Sequence, residues 1–109
     1  MATLTGFLYD NEGLWIPKDP EASLTYSLDW QDWLSNGETI SSSTFTVEAI
    51  SGDSDPLIKV SQSSSDTVAT VKVSGGTVGN IYKVYDQITT SGGLTERRYF
   101  RIKVETRSL

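Results

Sequence analysis

Asp29-Trp30-Gln31-Asp32-Trp33 interleaves carboxylates with aromatic rings at short spacing. A carboxylic acid beside an indole face is what an acid in an aromatic sugar-binding cleft would use. The residues before it favour a plainer reading. Leu24, Tyr26, Leu28 and Trp30 alternate with Ser23, Thr25, Ser27, Asp29 and Gln31, so Trp30 belongs to the buried face of a strand and the aspartates are exposed or turn-forming. Asp53, Asp55 and Asp66 could gather around calcium, but they lack the acidic positions and closing glutamate of an EF-hand loop. Acids beside Pro56 more often form turns.

Ser41-Ser42-Ser43 and Ser63-Ser64-Ser65 have no base to activate them. The chain has no histidine, and no serine stands three residues before a lysine. Gly75-Gly76 and Gly92-Gly93 fit no phosphate-binding pattern and precede no helix. Strand alternation accounts for Arg98-Tyr99-Phe100-Arg101 without base stacking. No catalytic, cofactor-binding or metal-ligating residue is expected, and the chain reads as a scaffold or binding module, not an enzyme.

Length and composition agree. The chain has 109 residues, no cysteine and a net charge of −5, the size of one domain without a disulfide framework. Ser and Thr number 28; threonine favours strands and serine favours turns, which points to an all-β fold. No run is long and apolar enough for a transmembrane helix, and the N-terminus lacks a basic region followed by an apolar core. Charge is uneven. Residues 1–93 hold 4 basic and 12 acidic side chains, whereas residues 94–109 hold 5 and 2. The basic end is either one strand with a basic solvent face or a docking surface for an acidic protein. An acidic domain repels phosphates, so no nucleic-acid partner is expected, nor a membrane.

The elements that position these residues follow from period and punctuation. After the strand around Leu24–Trp30, Asn36-Gly37 marks a tight turn. A strand over about 39–50 places Phe45, Val47 and Ala49 on one face. Residues 51–56 read as a loop, Leu57–Val60 as a short strand and Ser61–Asp66 as another polar loop. Thr67–Val73, Ile81–Thr89 and Leu94–Val104 form a meander broken by Ser-Gly-Gly at 74–76 and 91–93.

The last hairpin can be read to the register. Tyr82, Val84, Asp86 and Ile88 share one face, and Arg98, Phe100, Ile102 and Val104 another. Both face one core only if paired residue numbers sum to an even value. A three-residue loop, Ser91-Gly92-Gly93, satisfies this and predicts 82↔102, 84↔100 and 86↔98, with Asp86 and Arg98 as an ion pair. Arg98 would then point inward and Arg97, Arg101 and Lys103 outward. About seven strands with frequent turns predict an immunoglobulin-like β-sandwich over residues 18–109.

Residues 1–17 differ from the rest. Phe7-Leu8-Tyr9 and Leu14-Trp15-Ile16 are apolar triplets, followed by Pro17-Lys18-Asp19-Pro20, which reads as a stiff linker outside any central ladder. They are either an edge hairpin over the chain's own core or an arm that pairs with a neighbouring subunit. The candidate interface residues are therefore Phe7, Leu8, Tyr9, Leu14, Trp15 and Ile16, with outward-facing Tyr85, Tyr99 and Arg101 as further candidates, because aromatic and arginine side chains dominate interface hot spots.

Gly79-x-x-Tyr82-x-Val84 resembles the start of the penultimate strand of many bacterial and phage immunoglobulin-like domains, which implies a corner hydrogen bond from Tyr82 to nearby backbone. A wider resemblance rests on Lys18-Asp19-Pro20, Leu24–Trp30 with Trp33-Leu34, Gly37–Thr44, Val73–Thr77 and Ile88–Gly93 with Arg98 and Phe100. These residues resemble the fibre–tail adaptor family of small tailed-phage structural proteins, and Trp-x-x-Trp-Leu followed by Gly-x-x-Ile is their most specific part. The resemblance implies a non-enzymatic virion component, made in the bacterial host cytoplasm, that needs no cofactor and binds tail or fibre subunits in a symmetric assembly. The alternatives are a capsid or tail decoration protein and a carbohydrate-binding module using Trp15, Trp30 or Trp33; the latter requires a fully exposed tryptophan.

Overall fold

The structure, a computed structural model, describes residues 8–11, 13–35 and 37–106. Phe7, Asn36 and Arg107 lie outside the described residues, as does the side chain of Tyr9. The described residues form eight strands: β1 (Leu8–Asp10), β2 (Gly13–Lys18), β3 (Ser23–Asp29), β4 (Ile40–Val47), β5 (Leu57–Ser65), β6 (Val68–Gly75), β7 (Ile81–Thr90) and β8 (Thr95–Val104). They make a five-stranded sheet, β1-β2-β8-β7-β4, and a three-stranded sheet, β3-β6-β5. This is the β-sandwich expected, with the first long strand, β2, placed on the larger sheet and parallel to β8.

Alternation builds the core between the sheets. Tyr26, Leu28, Ala69, Val71 and Val73 point in from the smaller sheet; Phe45, Val84, Ile88, Phe100, Ile102 and Val104 point in from the larger. Fully burying each large apolar side chain stabilises the fold by about 1.5–3 kcal/mol. Ile40 and Phe45 are an odd number apart in one strand yet both are buried. The ladder to β7 slips between Ile40 and Ser42, a bulge that turns both side chains to the core.

The predicted register of the last hairpin is present: Tyr82↔Ile102, Val84↔Phe100 and Asp86↔Arg98. Thr90 N–H donates to Leu94 O at 2.8 Å, which closes a three-residue loop over Ser91, Gly92 and Gly93. Gly93 has φ +88°, the left-handed conformation such a loop places at its last residue. The corner bond is present too, with Thr77 N–H donating to the Tyr82 hydroxyl at 3.0 Å.

Three local expectations are corrected. The short strand at 57–60 and polar loop at 61–66 are one strand, β5, which continues to Ser65 along β6 past an irregularity between Lys59 and Ser61. An edge strand exposed along nearly its whole length needs no apolar run, so its serines carried no strand signal. β4 ends at Val47, so Ala49 lies beyond it. Pro17 and Lys18 are strand, not linker: they pair with Lys103 and Val104. β1 covers only Gly13–Trp15 of β2, so Pro17 sits where β2 has become an edge, the place a sheet tolerates proline.

Candidate interaction surface

The inner face of the meander holds a closed polar group. Asp86 is fully buried. Trp30 Nε1–H donates to its Oδ2 at 2.9 Å and Ser43 Oγ–H to its Oδ1 at 2.6 Å. Burial raises the Asp86 pKa above the usual carboxylate range, and the two hydrogen bonds oppose that. The expected ion pair with Arg98 is absent although the register is right. Arg98 stays about half exposed, bridges Glu96 at 3.5 Å and lies 5.8 Å from the centre of the Trp30 ring. A guanidinium that keeps its water avoids a large desolvation penalty, and the indole N–H already supplies Asp86 with a donor. An inward Asp86 beside an inward Trp30 was the available sequence signal for this bond.

The outer face of the larger sheet is aromatic and basic. Tyr85 and Tyr99 are register partners with rings 5.4 Å apart. Arg97 lies 4.6 Å from the Tyr85 ring centre, Lys83 5.1 Å from that of Tyr99 and Lys103 4.0 Å from that of Trp15. Tyr85 is half-buried and Tyr99 is 40 % exposed.

Arg101 does not belong to that open face. It is 3 % exposed. Its guanidinium pairs with Asp10 and donates to Gly13 O at 3.0 Å. It grips the turn of the β1–β2 hairpin, and little of it is left on the surface. Strand parity put it outward; the hairpin laid alongside β8 then covered it, and alternation carries no information about a strand some 80 residues away in sequence. The hairpin divides the remaining candidates. Leu8 is 47 % exposed. Trp15 is half-buried under Lys103, while Leu14 and Ile16 pack against the core.

The residues that carried the family resemblance have structural work. Lys18 is buried, and its ammonium donates to Gly75 O at 2.7 Å and Asp19 O at 2.9 Å. Burial lowers its pKa, while Asp19, Asp55 and Glu21 pull the other way. Trp33 and Leu34 N–H groups both donate to Trp30 O, so Trp-x-x-Trp-Leu is one tight turn, with the two indoles edge to face at 5.6 Å. Glu38 accepts from Thr90 Oγ1 at 2.9 Å and Gly92 N–H at 3.1 Å, and these bonds, led by Thr90, lower its pKa. A Cβ on Gly92 would collide with Glu38 Oε2.

The candidate chemistries do not assemble. Asp53 accepts from Thr77 Oγ1 at 2.6 Å and from the Tyr82 hydroxyl, which lower its pKa. Asp66 is at the opposite end of β5, and among the described residues no acidic cluster suited to a metal ion occurs. Asp29 accepts from Gln31 N–H as a turn former. Trp30 is 4 % exposed, and Trp15 and Trp33 are half-buried, so the fully exposed tryptophan that a carbohydrate-binding module requires is not there. A cleft of about 60 Å³ lies between Leu14, Trp33, Arg98 and Tyr99 over Leu28, Trp30 and Phe100. It is apolar, with one cation at its rim.

No curated protein matches the chain. A family model does, that of the podophage GP4 fiber-tail adaptor protein gp77, over residues 18–103. The matched span runs from the buried Lys18 through the register-paired hairpin to Lys103 and contains the Trp30 turn and Glu38. On that match, which takes in most of its length, the chain belongs to the podophage fibre–tail adaptor family.

Proposed function

We propose that this chain is a non-enzymatic virion adaptor that joins tail and fibre subunits through protein–protein contacts. The observation that carries the reading is the aromatic and apolar surface on one side of the larger sheet, with Leu8, Trp15, Tyr85 and Tyr99 partly or largely exposed, in a member of an adaptor family. Aromatic anchors beside cations are the usual hot-spot chemistry of an interface. Phe7 and Tyr9 continue the same apolar stretch in sequence and belong to the proposed contact. Leu14 and Ile16 support it from beneath. Repetition of the contact around a tail axis would make the assembly symmetric. Asp86, the one carboxylate among the described residues with a raised pKa, is sealed from solvent and already bonded to two donors, so it has no route to a substrate.

The test is complementation of a phage deleted for this gene. Particles made without the chain should keep heads and tails and lack fibres, and the wild-type chain should restore them. Fibres present without the chain would overturn the adaptor reading. Deleting residues 1–16 is a poor probe, because Leu14 and Ile16 pack on the core. Leu8→Asp with Tyr99→Asp changes the proposed contact and leaves the core intact; it should restore few or no fibres.

A further inference from the structure

We propose that the outer face of the larger sheet receives an acidic segment of a tail protein, whose carboxylates meet Lys83, Arg97 and Lys103; this rests on the adaptor reading above. Each of the three cations sits over an aromatic ring, at 5.1, 4.6 and 4.0 Å. Among the described residues, none of the three has a carboxylate within ion-pair distance. The other two arginines of β8 are engaged elsewhere, Arg101 with Asp10 and Arg98 with Glu96. Beside the face runs an open groove of about 490 Å³ along β4 and β7, lined by Thr44, Thr46, Glu48, Tyr85, Gln87 and Arg97.

Charge selects the occupant. The chain carries −5 overall, yet this face presents three cations against two acids among the described residues: Glu48, which reaches it through the Tyr85 hydroxyl at 3.4 Å, and Asp10, which is held by Arg101. A local reversal of sign on an acidic protein draws a negatively charged partner to one orientation and repels others. A protein carboxylate fits better than a nucleic acid for two reasons. The remaining surface repels a polyanion longer than the face. The tyrosine and tryptophan rings already carry cations on their faces, which leaves them poorly placed to stack bases. Held over rings, the cations lose less rotamer freedom when a carboxylate arrives.

The experiment uses tails purified from particles lacking this chain and the full purified chain, with binding read by co-sedimentation over a salt series. Wild-type binding should weaken by about tenfold or more from low to high salt, as screening predicts for a charged interface. Lys83→Glu/Arg97→Glu/Lys103→Glu should bind about 100-fold more weakly and the corresponding triple Gln variant about tenfold more weakly. Lys59→Glu/Lys72→Glu, on the smaller sheet, changes net charge without touching the face and should bind as wild type. Circular dichroism checks each fold, and the Gln variant keeps the test valid if the Glu variant does not fold. If wild type binds and the folded Gln or Glu variant binds equally well, this face is not the contact while the adaptor reading stands. If the pure chain self-associates at low salt through this face, the occupant is a second copy and the proposal is wrong. If wild type binds no tail, the adaptor reading falls and takes this proposal with it.

Discussion

The two hairpins of the larger sheet meet along β8, yet they are held in different ways. The β7–β8 hairpin is local. Its register follows from alternation and from a glycine loop whose last residue is left-handed, and its inner face is the core. The β1–β2 hairpin is attached from a distance. It adds to β8 in parallel, across nearly the whole length of the chain, and its turn is gripped by one buried arginine. A local hairpin is specified by its own residues, whereas a docked one depends on what another strand offers it. The same difference divides structure from contact on β8. Phe100, Ile102 and Val104 look inward and are almost fully buried, while Arg97, Tyr99 and Lys103 look outward beside the docked hairpin.

The comparison can be broken at several points. Phe100→Ala removes an aromatic ring from the centre of the β7–β8 inner face and should cost about 3–5 kcal/mol. Urea denaturation should show one cooperative transition moved to lower denaturant. Arg101→Met cuts the grip on the distant hairpin and should cost about 1.5–3 kcal/mol, the range for hydrogen bonds to a charged group. Its signature is where the loss falls: hydrogen exchange should speed up across 8–18 and stay slow across 81–90. Equal acceleration in both segments would show that the two hairpins are one unit. Gly93→Ala places a side chain at φ +88° and should cost about 1–2 kcal/mol, with the thermal midpoint lowered and hydrogen exchange raised at the β7–β8 loop while 8–18 is unchanged.

The last prediction concerns slope more than size. The Asp86 pKa is raised in the folded chain, so the fold holds that proton to higher pH than the unfolded chain does. Stability from this group is therefore complete below the unfolded value and is lost as pH rises through the folded value. Glu38 and Asp53, with lowered pKa values, act in the opposite sense: their contribution is present above the unfolded carboxylate value and is lost as pH falls through their folded values. Asp86→Asn keeps an oxygen for the Trp30 N–H and removes the titration. Denaturation midpoints of wild type should decline relative to those of the variant as pH rises above the ordinary carboxylate range. Parallel curves would show that Asp86 does not titrate in that window.

Alternation and glycine placement determined the buried faces of β3, β7 and β8 and the last hairpin's register, because each depends on neighbours a few residues apart; the serine and threonine content pointed to the all-β class, and the Tyr82 corner came with the resemblance to immunoglobulin-like domains. The family resemblance was legible in Lys18, Trp30, Trp33, Gly37 and Ile40, but not the reason for those residue types. Lys18 caps the carbonyl of Gly75, and Trp30 bonds a carboxylate 56 residues away, and spacing along the chain does not encode such meetings. The tertiary structure decided the rest. It made Pro17 and Lys18 part of a sheet, turned a serine-rich stretch into an edge strand, left Arg98 in solvent, and buried Arg101 beneath a hairpin from the other end of the chain. For the two arginines parity indicated a direction, and only the assembled neighbours decided whether that direction led to water, a ring or a carboxylate.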